Sequence, residues 1–288
     1  MDSLKRGLLS LALGASVTFF NTLAWADATW DKIQQRKEVS IGIIVTGLPF
    51  GTIDPKTREI VGYSADLAAD IARRLNVKLN PVAVLAPNRV QFLQQGKVDM
   101  LVANMGLTPE RAEILDYVPT PYESIGGALL TRKGSGIKRW EDVKGKNVCV
   151  SQGGRFSLAL ERDYGAIVKA YRAQSESLLA LRGNGCVASV HVSPTMHRLA
   201  KLPEWSDYEI PIPSDIWPSD SVIWLRKGQK DVQQQLDAIV QDWHRTGWLI
   251  KVGEKYGIDP SQALLNLHEQ YKEKPLGAGK ASEVAVSH

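Results

Sequence analysis

The sequence predicts an α/β protein built from two lobes of alternating strands and helices. From Val39 onward, short β-branched runs alternate with segments of helical periodicity, the pattern of βαβ units and a parallel sheet. The same alternation begins again with new material at Asn147. A chain of 288 residues is also large for one hydrophobic core but suits two lobes of ordinary domain size.

Residues 1–26 have the three parts of a secretory signal. Lys5 and Arg6 form a charged start, an apolar run follows, and Ala24–Ala26 is a small-residue cleavage site. We expect cleavage before Asp27 and export of the remaining chain. The alternative is a membrane anchor, because the uncharged stretch is barely long enough to span a bilayer. Two polar residues interrupt that stretch, which favours the cleaved signal.

Composition excludes several classes of function. The formal net charge is +4, and no basic stripe is interleaved with aromatic residues, so nucleic acid is not an expected partner. The five histidines have no ligand spacing with one another or with the cysteines, so we expect no metal and no cofactor. Cys149 and Cys186 both lie in the part expected to be exported, where oxidation is normal. A disulfide between two neighbouring strands is therefore predicted, and two buried free thiols are the alternative.

The first lobe begins with a buried strand at Val39–Val45. A one-sided helix, "SADLAADIARRLN", follows with Ser64 as its candidate cap. "VKLNPVAV" is the second strand, and "NRVQFLQQGK" is a short helix that Gly96 stops. "VDMLVA" is the third strand, and its end leads into "ANMGLTPERAEILDY".

This last segment places an arginine where a helix favours an acid. Thr108 is predicted to be the N-cap and Pro109 the first helical residue, so Arg111 lies in the first turn. There the free N–H groups and the helix dipole disfavour an exposed cation by roughly 0.3 to 1 kcal/mol. We favour a bound anion as its partner, because ligands in open α/β sheets lie at the carboxyl ends of strands. The alternative is a salt bridge to one of three nearby acids, Glu110, Glu113 or Asp116.

The second lobe repeats the pattern as "NVCVS", "GGRFSLALERDYG", "IVKAYR", "SESLLALRGNG" and "CVASVHV". Gly153 and Gly154 precede its first helix and would let backbone N–H groups approach an anion. "VQQQLDAIVQDWHRTGWLIKVGEKYG" then has apolar residues at helical spacing and is predicted to form core-facing helices. Residues 273–288 lose all periodicity and are expected to form a disordered tail.

Four segments together resemble the bacterial periplasmic solute-binding proteins of the polar amino-acid type (family 3), which are receptors for ABC importers. They are "LPFGTIDPKTREIVGYSADLAADIARRL", "FLQQGKVDMLVANMGLTPERAEILDYVPTPY", "IKRWEDVKGKNVCVSQGG" and "HRTGWLIKVGEKYG", in the family's order. The resemblance implies a two-lobed periplasmic binding protein fold, with two βα sheets joined by a two-strand hinge and a cleft that closes on a ligand. It also implies a membrane permease as partner, and we expect a monomer.

The resemblance also divides the chain. The crossovers between lobes are expected near Ser124 to Gly127 and near Pro218 to Asp220. Residues 27–124 then form the first part of lobe 1, residues 125–220 form lobe 2, and residues 221–272 return to lobe 1 as C-terminal helices. Such a hinge converts ligand binding into a shape that the membrane partner can recognise.

Arg111 matches the family's arginine that grips the α-carboxylate of the ligand, and a guanidinium fork suits a carboxylate. Gly106 and Thr108 match positions whose amide and hydroxyl join that grip. Arg155 stands where relatives usually carry threonine, and it either supplies a second cation to the ligand or points to solvent. The complete set of expected ligand-binding residues is Arg111, Gly106, Thr108, Asn104, Gly153, Gly154, Arg155, Ser193, Phe50 and Tyr63.

Two departures from the family bear on the ligand. Relatives that bind α-amino acids receive the ammonium group with acids at positions that align here with Ile44 and Ser193. An unpaired buried ammonium would cost several kcal/mol. Either Glu123 or Asp220 near the crossovers replaces these acids, or the ligand is an organic acid. Both possibilities stay open from the sequence.

Three further expectations concern single residues and activity. An aromatic platform of the family appears here as Gly47, and Phe50 and Tyr63 either replace it or pack in the core. Asn88 and Arg89 either line the cleft or form a solvent-facing cap, and we favour the cap. The enzyme alternative, a dehydratase of this fold acting on a cyclic carboxylic acid, needs a buried acid in the cleft and is weakened by the missing acids. We therefore expect a binding protein without enzymatic activity.

Overall fold

The computed structural model describes residues 28–274. The signal expected at 1–26 and most of the tail expected at 273–288 lie outside this range. The helices are α1 (Ala28–Arg36), α2 (Tyr63–Arg74), α3 (Arg89–Gln94), α4 (Pro109–Ile114), α5 (Phe156–Arg162), α6 (Gln174–Arg182), α7 (Ser193–Ala200), α8 (Lys230–Arg245), α9 (Trp248–Lys255) and α10 (Gln262–Tyr271). The strands are β1 (Glu38–Ile44), β2 (Thr52–Ile53), β3 (Ile60–Val61), β4 (Lys78–Val84), β5 (Met100–Val102), β6 (Asp116–Tyr117), β7 (Glu123–Arg132), β8 (Asn147–Ser151), β9 (Ile167–Tyr171), β10 (Ala188–Val192), β11 (Tyr208–Glu209), β12 (Ile216–Ser221) and β13 (Trp224–Leu225).

The first sheet has the strand order β4-β1-β5-β13-β6. β1 pairs in parallel with β4 and β5, so the predicted βαβ units are present. β13 pairs antiparallel with β5 and β6. Because β13 follows the whole second sheet in the chain, the polypeptide returns to the first sheet after building the second.

The second sheet has the order β11-β7-β10-β8-β9. β8 is parallel to both β9 and β10, as the alternating pattern predicts. β7 is antiparallel to β10, and its first residues also pair with β12. The α/β class and the two-lobed arrangement are thus confirmed.

The two connections between the sheets run side by side. Ser124 on β7 lies opposite Asp220 on β12, and Ile125 lies opposite Ser219. The register between β7 and β12 shifts once along their length. These paired strands contain the segments where the crossovers are expected, and the cleft opens beside them.

One hydrophobic core joins the first sheet to the C-terminal helices. Of the apolar residues at helical spacing that were predicted to face a core, Tyr256 is partly buried and packs against this cluster, and the others are buried within it: Val232, Leu236, Ile239, Trp243, Leu249 and Val252. α10, which lies within the range 221–272 expected to form C-terminal helices, adds Leu264 to it. The second sheet carries a separate cluster on each face. Within residues 28–274, no helix has both the length and the hydropathy that crossing a membrane requires.

Two local features were predicted from sequence with different success. Cys149 and Cys186 form a disulfide with their Cα atoms 5.8 Å apart, which confirms the predicted bridge. Ser64, however, does not cap α2: the N-cap is Gly62, with φ 132°. The loop carbonyl of Phe50 accepts the Ser64 N–H at 2.9 Å, so a backbone group satisfies the helix start. A Cβ at Gly62 would lie 2.6 Å from that same carbonyl oxygen, which leaves no room for a capping side chain.

Candidate functional site

A cavity lies between the two sheets, and we call it the interlobe cavity. Its walls include Ile44 and Ala103 at the ends of first-sheet strands, and Val150 and Val192 at the ends of second-sheet strands. Among the described residues that line it, none is an aspartate or a glutamate. The strand carboxyl ends of both lobes therefore converge on one space, as expected for ligand sites in α/β sheets.

Arg111 reaches this cavity from the start of α4. The Thr108 hydroxyl accepts the Arg111 backbone N–H at 3.4 Å, so Thr108 is the N-cap, as predicted. The Arg111 side chain turns back over the helix start, and its Nη1 donates to the carbonyl oxygen of Gly106 at 2.7 Å. Its Nη2 donates across the cleft to the carbonyl oxygen of Gly153 at 3.3 Å.

The salt-bridge alternative for Arg111 is not realised. Among the described residues, no carboxylate lies within ion-pair distance of this guanidinium, and Asp116 instead pairs with Lys227 at 3.3 Å. Burial lowers the pKa of Arg111, and the charge of Glu110 opposes that shift. Arg111 is thus a half-buried cation whose side-chain hydrogen-bond partners are carbonyl oxygens rather than a carboxylate.

Arg89 is a second cation in the interlobe cavity, and the prediction of a solvent-facing cap was wrong for it. Only 6% of Arg89 is exposed. Its Nη1 donates to the carbonyl oxygen of Ala103 at 2.8 Å, and its Nη2 donates to that of Gly153 at 3.4 Å. Burial, and then repulsion from Arg111 and Arg155, lowers the pKa of Arg89 to about 9.

The sequence around Arg89 contains a feature that indicates a place in the cleft. Like Arg111, it is an arginine in the first turn of a short helix that follows a strand. The first turn of α3 contains no acidic residue. The neighbouring Asn88 has a different role, because its Oδ1 accepts the backbone N–H of Leu85 at 2.9 Å and closes the preceding turn.

Arg155, at the N-cap of α5, is the third cation and comes from the other lobe. It does not point to solvent: its Nη2 donates to the carbonyl oxygen of Ile125 on β7, and its Nε donates to that of Trp217 on β12 at 3.4 Å. The guanidinium also lies over the Phe156 ring, 4.8 Å from its centroid. Burial, then repulsion from Arg111, lowers the pKa of Arg155 to about 10, and Asp215 opposes the shift.

The remaining polar groups of the interlobe cavity are neutral. His191 Nε2 lies 2.5 Å from the Ser177 hydroxyl, and Nδ1 lies 3.4 Å from the Ser151 hydroxyl. Burial lowers the pKa of His191 to about 3, so the ring is uncharged at neutral pH. Gln174, at the start of α6, also lines the cavity. The sequence analysis missed both His191 and Gln174, although each lies at a strand end or a helix start, where ligand contacts concentrate.

The predicted ligand residues of the first lobe divide by position. Asn104 lines the interlobe cavity beside Arg111. Gly106 accepts an Arg111 hydrogen bond. The Phe50 and Tyr63 rings lie in the core, 3% and 0% exposed, and pack edge to face on each other. They do not form an aromatic platform in the cavity, because both are buried in the core of the first sheet and neither lines the cavity.

In the second lobe, Gly154 and Arg155 line the cavity. The Gly153 carbonyl oxygen accepts from two first-lobe arginines. Ser193 does not line it: Val192, the last residue of β10, is the lining residue, and Ser193 begins α7. The position that aligns with the acid of relatives, Ser193, is therefore one residue beyond Val192, the residue that lines the cavity.

Neither acid proposed as a substitute for the ammonium partner lines the interlobe cavity. Glu123 is 2% exposed and accepts hydrogen bonds from the Ser124 N–H at 2.9 Å and the Ser261 hydroxyl at 2.8 Å. Burial raises the pKa of Glu123 to about 7. Asp220 lies on β12, where its carbonyl oxygen accepts the Leu107 N–H at 2.7 Å. Within the described part of the chain, no group of three or more His, Cys, Asp or Glu side chains is arranged to hold a metal ion.

Sequence and structure comparisons both relate this chain to bacterial solute-binding proteins. Residues 39–259 match the family of bacterial extracellular solute-binding proteins, family 3. The chain is 24% identical to a probable ABC transporter arginine-binding protein of Chlamydia trachomatis, over 76% of this chain and 85% of that protein. It is also 24% identical to the L-glutamate/L-aspartate-binding protein of Pseudomonas aeruginosa, over 88% of each. The crystal structure of a cysteine-binding protein from Campylobacter jejuni superposes with a TM-score of 0.72 at 27% identity, covering 82% of this chain and 94% of that one.

Proposed function

Because the chain belongs to family 3 of the bacterial extracellular solute-binding proteins, we propose that it is the receptor of an ABC importer and binds a small carboxylate-bearing solute between its lobes. The observation that carries the proposal is Arg111. Its guanidinium stands at a helix start in the interlobe cavity and lacks a carboxylate partner among the described residues. A carboxylate can accept two parallel N–H bonds from such a fork.

The two-lobed arrangement supports capture by closure. Arg111 and Arg89 come from the first lobe, and the carbonyl of Gly153 that they share comes from the second. A carboxylate solute bound by these two guanidiniums and by Arg155 of the second lobe would contact both lobes at once and would favour the closed form over an open one. The closed form is the shape that a permease would recognise. We propose that the exported chain acts as a monomer in the periplasm, with residues 1–26 removed as a signal peptide.

The dehydratase alternative has weaker support. Proton transfer at a carbon centre needs an acid or base within hydrogen-bond reach of the substrate. The described residues that line the interlobe cavity include no carboxylate, and the ring of His191 is neutral and engaged by Ser177. Glu123 has a pKa near neutrality, but it does not line the cavity and instead accepts hydrogen bonds from the Ser124 N–H and the Ser261 hydroxyl. The relatives reported above are binding proteins.

A ligand screen tests the proposal. We expect thermal unfolding of the purified chain to shift with some member of a panel of amino acids, dicarboxylates and aromatic acids. A ligand at a hundred times its dissociation constant adds about 2.7 kcal/mol to the free energy of unfolding. Sugars and simple amines, which lack a carboxylate, serve as controls. Shifts with the controls alone, or turnover of prephenate in the same samples, would contradict it.

A further inference from the structure

The charge of the interlobe cavity specifies the solute more narrowly. We propose that the solute is a small organic dianion without an ammonium group, of the dicarboxylate class. This inference rests on the proposed function, since it concerns the solute of the same site. Its basis is the meeting of three guanidiniums, that of the buried Arg89 and those of the half-buried Arg111 and Arg155, in a cavity whose described lining residues include no carboxylate.

None of the three cations forms an ion pair with a described carboxylate, although Glu110 acts on Arg111 and Asp215 acts on Arg155 from a greater distance. They donate to carbonyl oxygens, and no carboxylate lies within ion-pair distance of them in the described chain. Burying unpaired charges is unfavourable unless a counter-charge accompanies them. An amino acid with a neutral side chain is a zwitterion and supplies no net negative charge. A dicarboxylate supplies two negative charges and would compensate most of the excess.

The cations are also arranged for two anionic groups. Arg111 and Arg89 approach from the first lobe and share the carbonyl of Gly153. Arg155 approaches from the second lobe, beside the paired strands β7 and β12. A Cβ placed on Gly106 would lie 2.6 Å from Arg155 Nη1, while the Gly106 carbonyl accepts from Arg111. Two guanidiniums from opposite lobes thus meet at Gly106, which suits carboxylates separated by a short carbon chain.

An ammonium group has no charged acceptor in this cavity. The wall position at the end of β1 is Ile44, and that at the end of β10 is Val192. The side-chain oxygen of Asn104 already accepts from the Ser221 hydroxyl at 3.2 Å. An ammonium would lose its hydration and meet three cations. Glutamate and aspartate carry the same two carboxylates plus this group, so they are disfavoured relative to glutarate and succinate.

Isothermal titration calorimetry with two matched series tests the inference on the full chain. The first series is glutarate, glutamate and butyrate, and the second is succinate, aspartate and propionate. We expect at least one dicarboxylate to bind, and to bind tenfold or more tightly than both its amino counterpart and its monocarboxylate. Equal or tighter binding of glutamate or aspartate, or best binding of a neutral amino acid, would overturn the dianion inference while the carboxylate receptor stands. If no carboxylate compound binds, the proposed function fails instead.

A variant pair connects the preference to Arg155. In Arg155→Gln, the ratio of dicarboxylate to monocarboxylate affinity should fall tenfold or more. The affinity for butyrate should change much less than the affinity for the dicarboxylate. Arg139→Gln is the matched control, because Arg139 is exposed and pairs with Asp142 on the same lobe. It should leave the ratio unchanged. The unfolding midpoint of each variant without ligand reports folding. A folded Arg155→Gln protein that keeps the wild-type ratio would overturn the assignment of a second carboxylate to this residue.

Discussion

The guanidinium of Arg111 donates a hydrogen bond to the carbonyl oxygen of Gly153 at 3.3 Å, and this contact joins the two lobes across the cleft. Arg89 donates to the same oxygen at 3.4 Å. One backbone carbonyl of the second lobe therefore holds two cations of the first. Substitutions at either end of this contact test whether it belongs to the binding machinery.

Arg111→Gln is expected to weaken solute binding by about thirtyfold or more. Truncating one partner of a buried, hydrogen-bonded charge pair costs roughly 2 to 5 kcal/mol of binding free energy, and about 1.4 kcal/mol corresponds to a factor of ten. Calorimetry with the solute found in the screen measures the loss. Arg58→Gln, at an exposed arginine of the first lobe, is the control and should bind like wild type. Wild-type affinity in Arg111→Gln would refute the assigned role.

Gly153→Ala should reduce both stability and affinity, whereas Gly145→Ala should reduce stability alone. Both glycines have φ +69°, so either alanine is strained by roughly 1 to 2 kcal/mol. Only at Gly153 would the new Cβ lie 2.7 Å from a first-lobe backbone atom, the Ala86 carbonyl oxygen; nothing lies within 4 Å at Gly145. Overlap of this kind typically costs 1 to 3 kcal/mol, so about tenfold weaker binding is expected. Equal affinities of the two variants would show that Gly153 does not govern closure.

Glu123 predicts a pH dependence of stability. Burial raises its pKa from the usual 4.5 to about 7 in the folded protein. Between pH 4.5 and about pH 7, Glu123 is therefore mostly protonated in the folded protein and mostly ionised in the unfolded chain. The stabilising contribution is complete below about pH 4.5 and is lost as pH rises through 7, by an amount on the order of 3 kcal/mol.

Urea unfolding of wild type and Glu123→Gln from pH 4.5 to pH 8 measures this effect. Glutamine keeps the shape of the protonated acid and does not titrate. The variant should therefore gain stability relative to wild type as pH rises, with most of the change below pH 7. A difference between the two proteins that stays constant across the range would mean that Glu123 does not titrate as described.

Removing the disulfide should destabilise the second lobe. Cys149 and Cys186 are separated by 37 residues, and closing a loop of that size is worth about 4 kcal/mol in the chain-entropy model. The double variant Cys149→Ala/Cys186→Ala should unfold at a lower urea concentration, and its free energy of unfolding should be lower by about this amount. Wild type in reducing agent should match it, and the double variant should not respond to the reductant. A reductant effect of equal size in the double variant would assign the loss to another cause.

The sequence by itself determined the elements and the placement of the first cation. Strand and helix periodicity and the Thr108–Pro109 helix start are local properties of a few residues, so the βα order and the position of Arg111 could be predicted. The Cys149–Cys186 bridge could be predicted too, although Cys186 lies two residues before β10 rather than in a strand. The prediction for Ser64 failed because a loop carbonyl, brought near by tertiary packing, took the capping role.

Tertiary structure alone decided the character of the cavity. Whether Arg89 and Arg155 face the solvent or the cleft depends on how the two lobes meet. That arrangement involves distant parts of the chain, because β13 follows the whole second sheet in sequence but pairs within the first sheet. The same long-range contacts place Glu123 and Asp220 outside the cavity lining. The cavity is therefore lined by three arginines and by no carboxylate among the described residues. Local sequence fixes backbone preference over a few residues, whereas burial and charge pairing depend on segments that are distant in the chain and meet only in the folded protein.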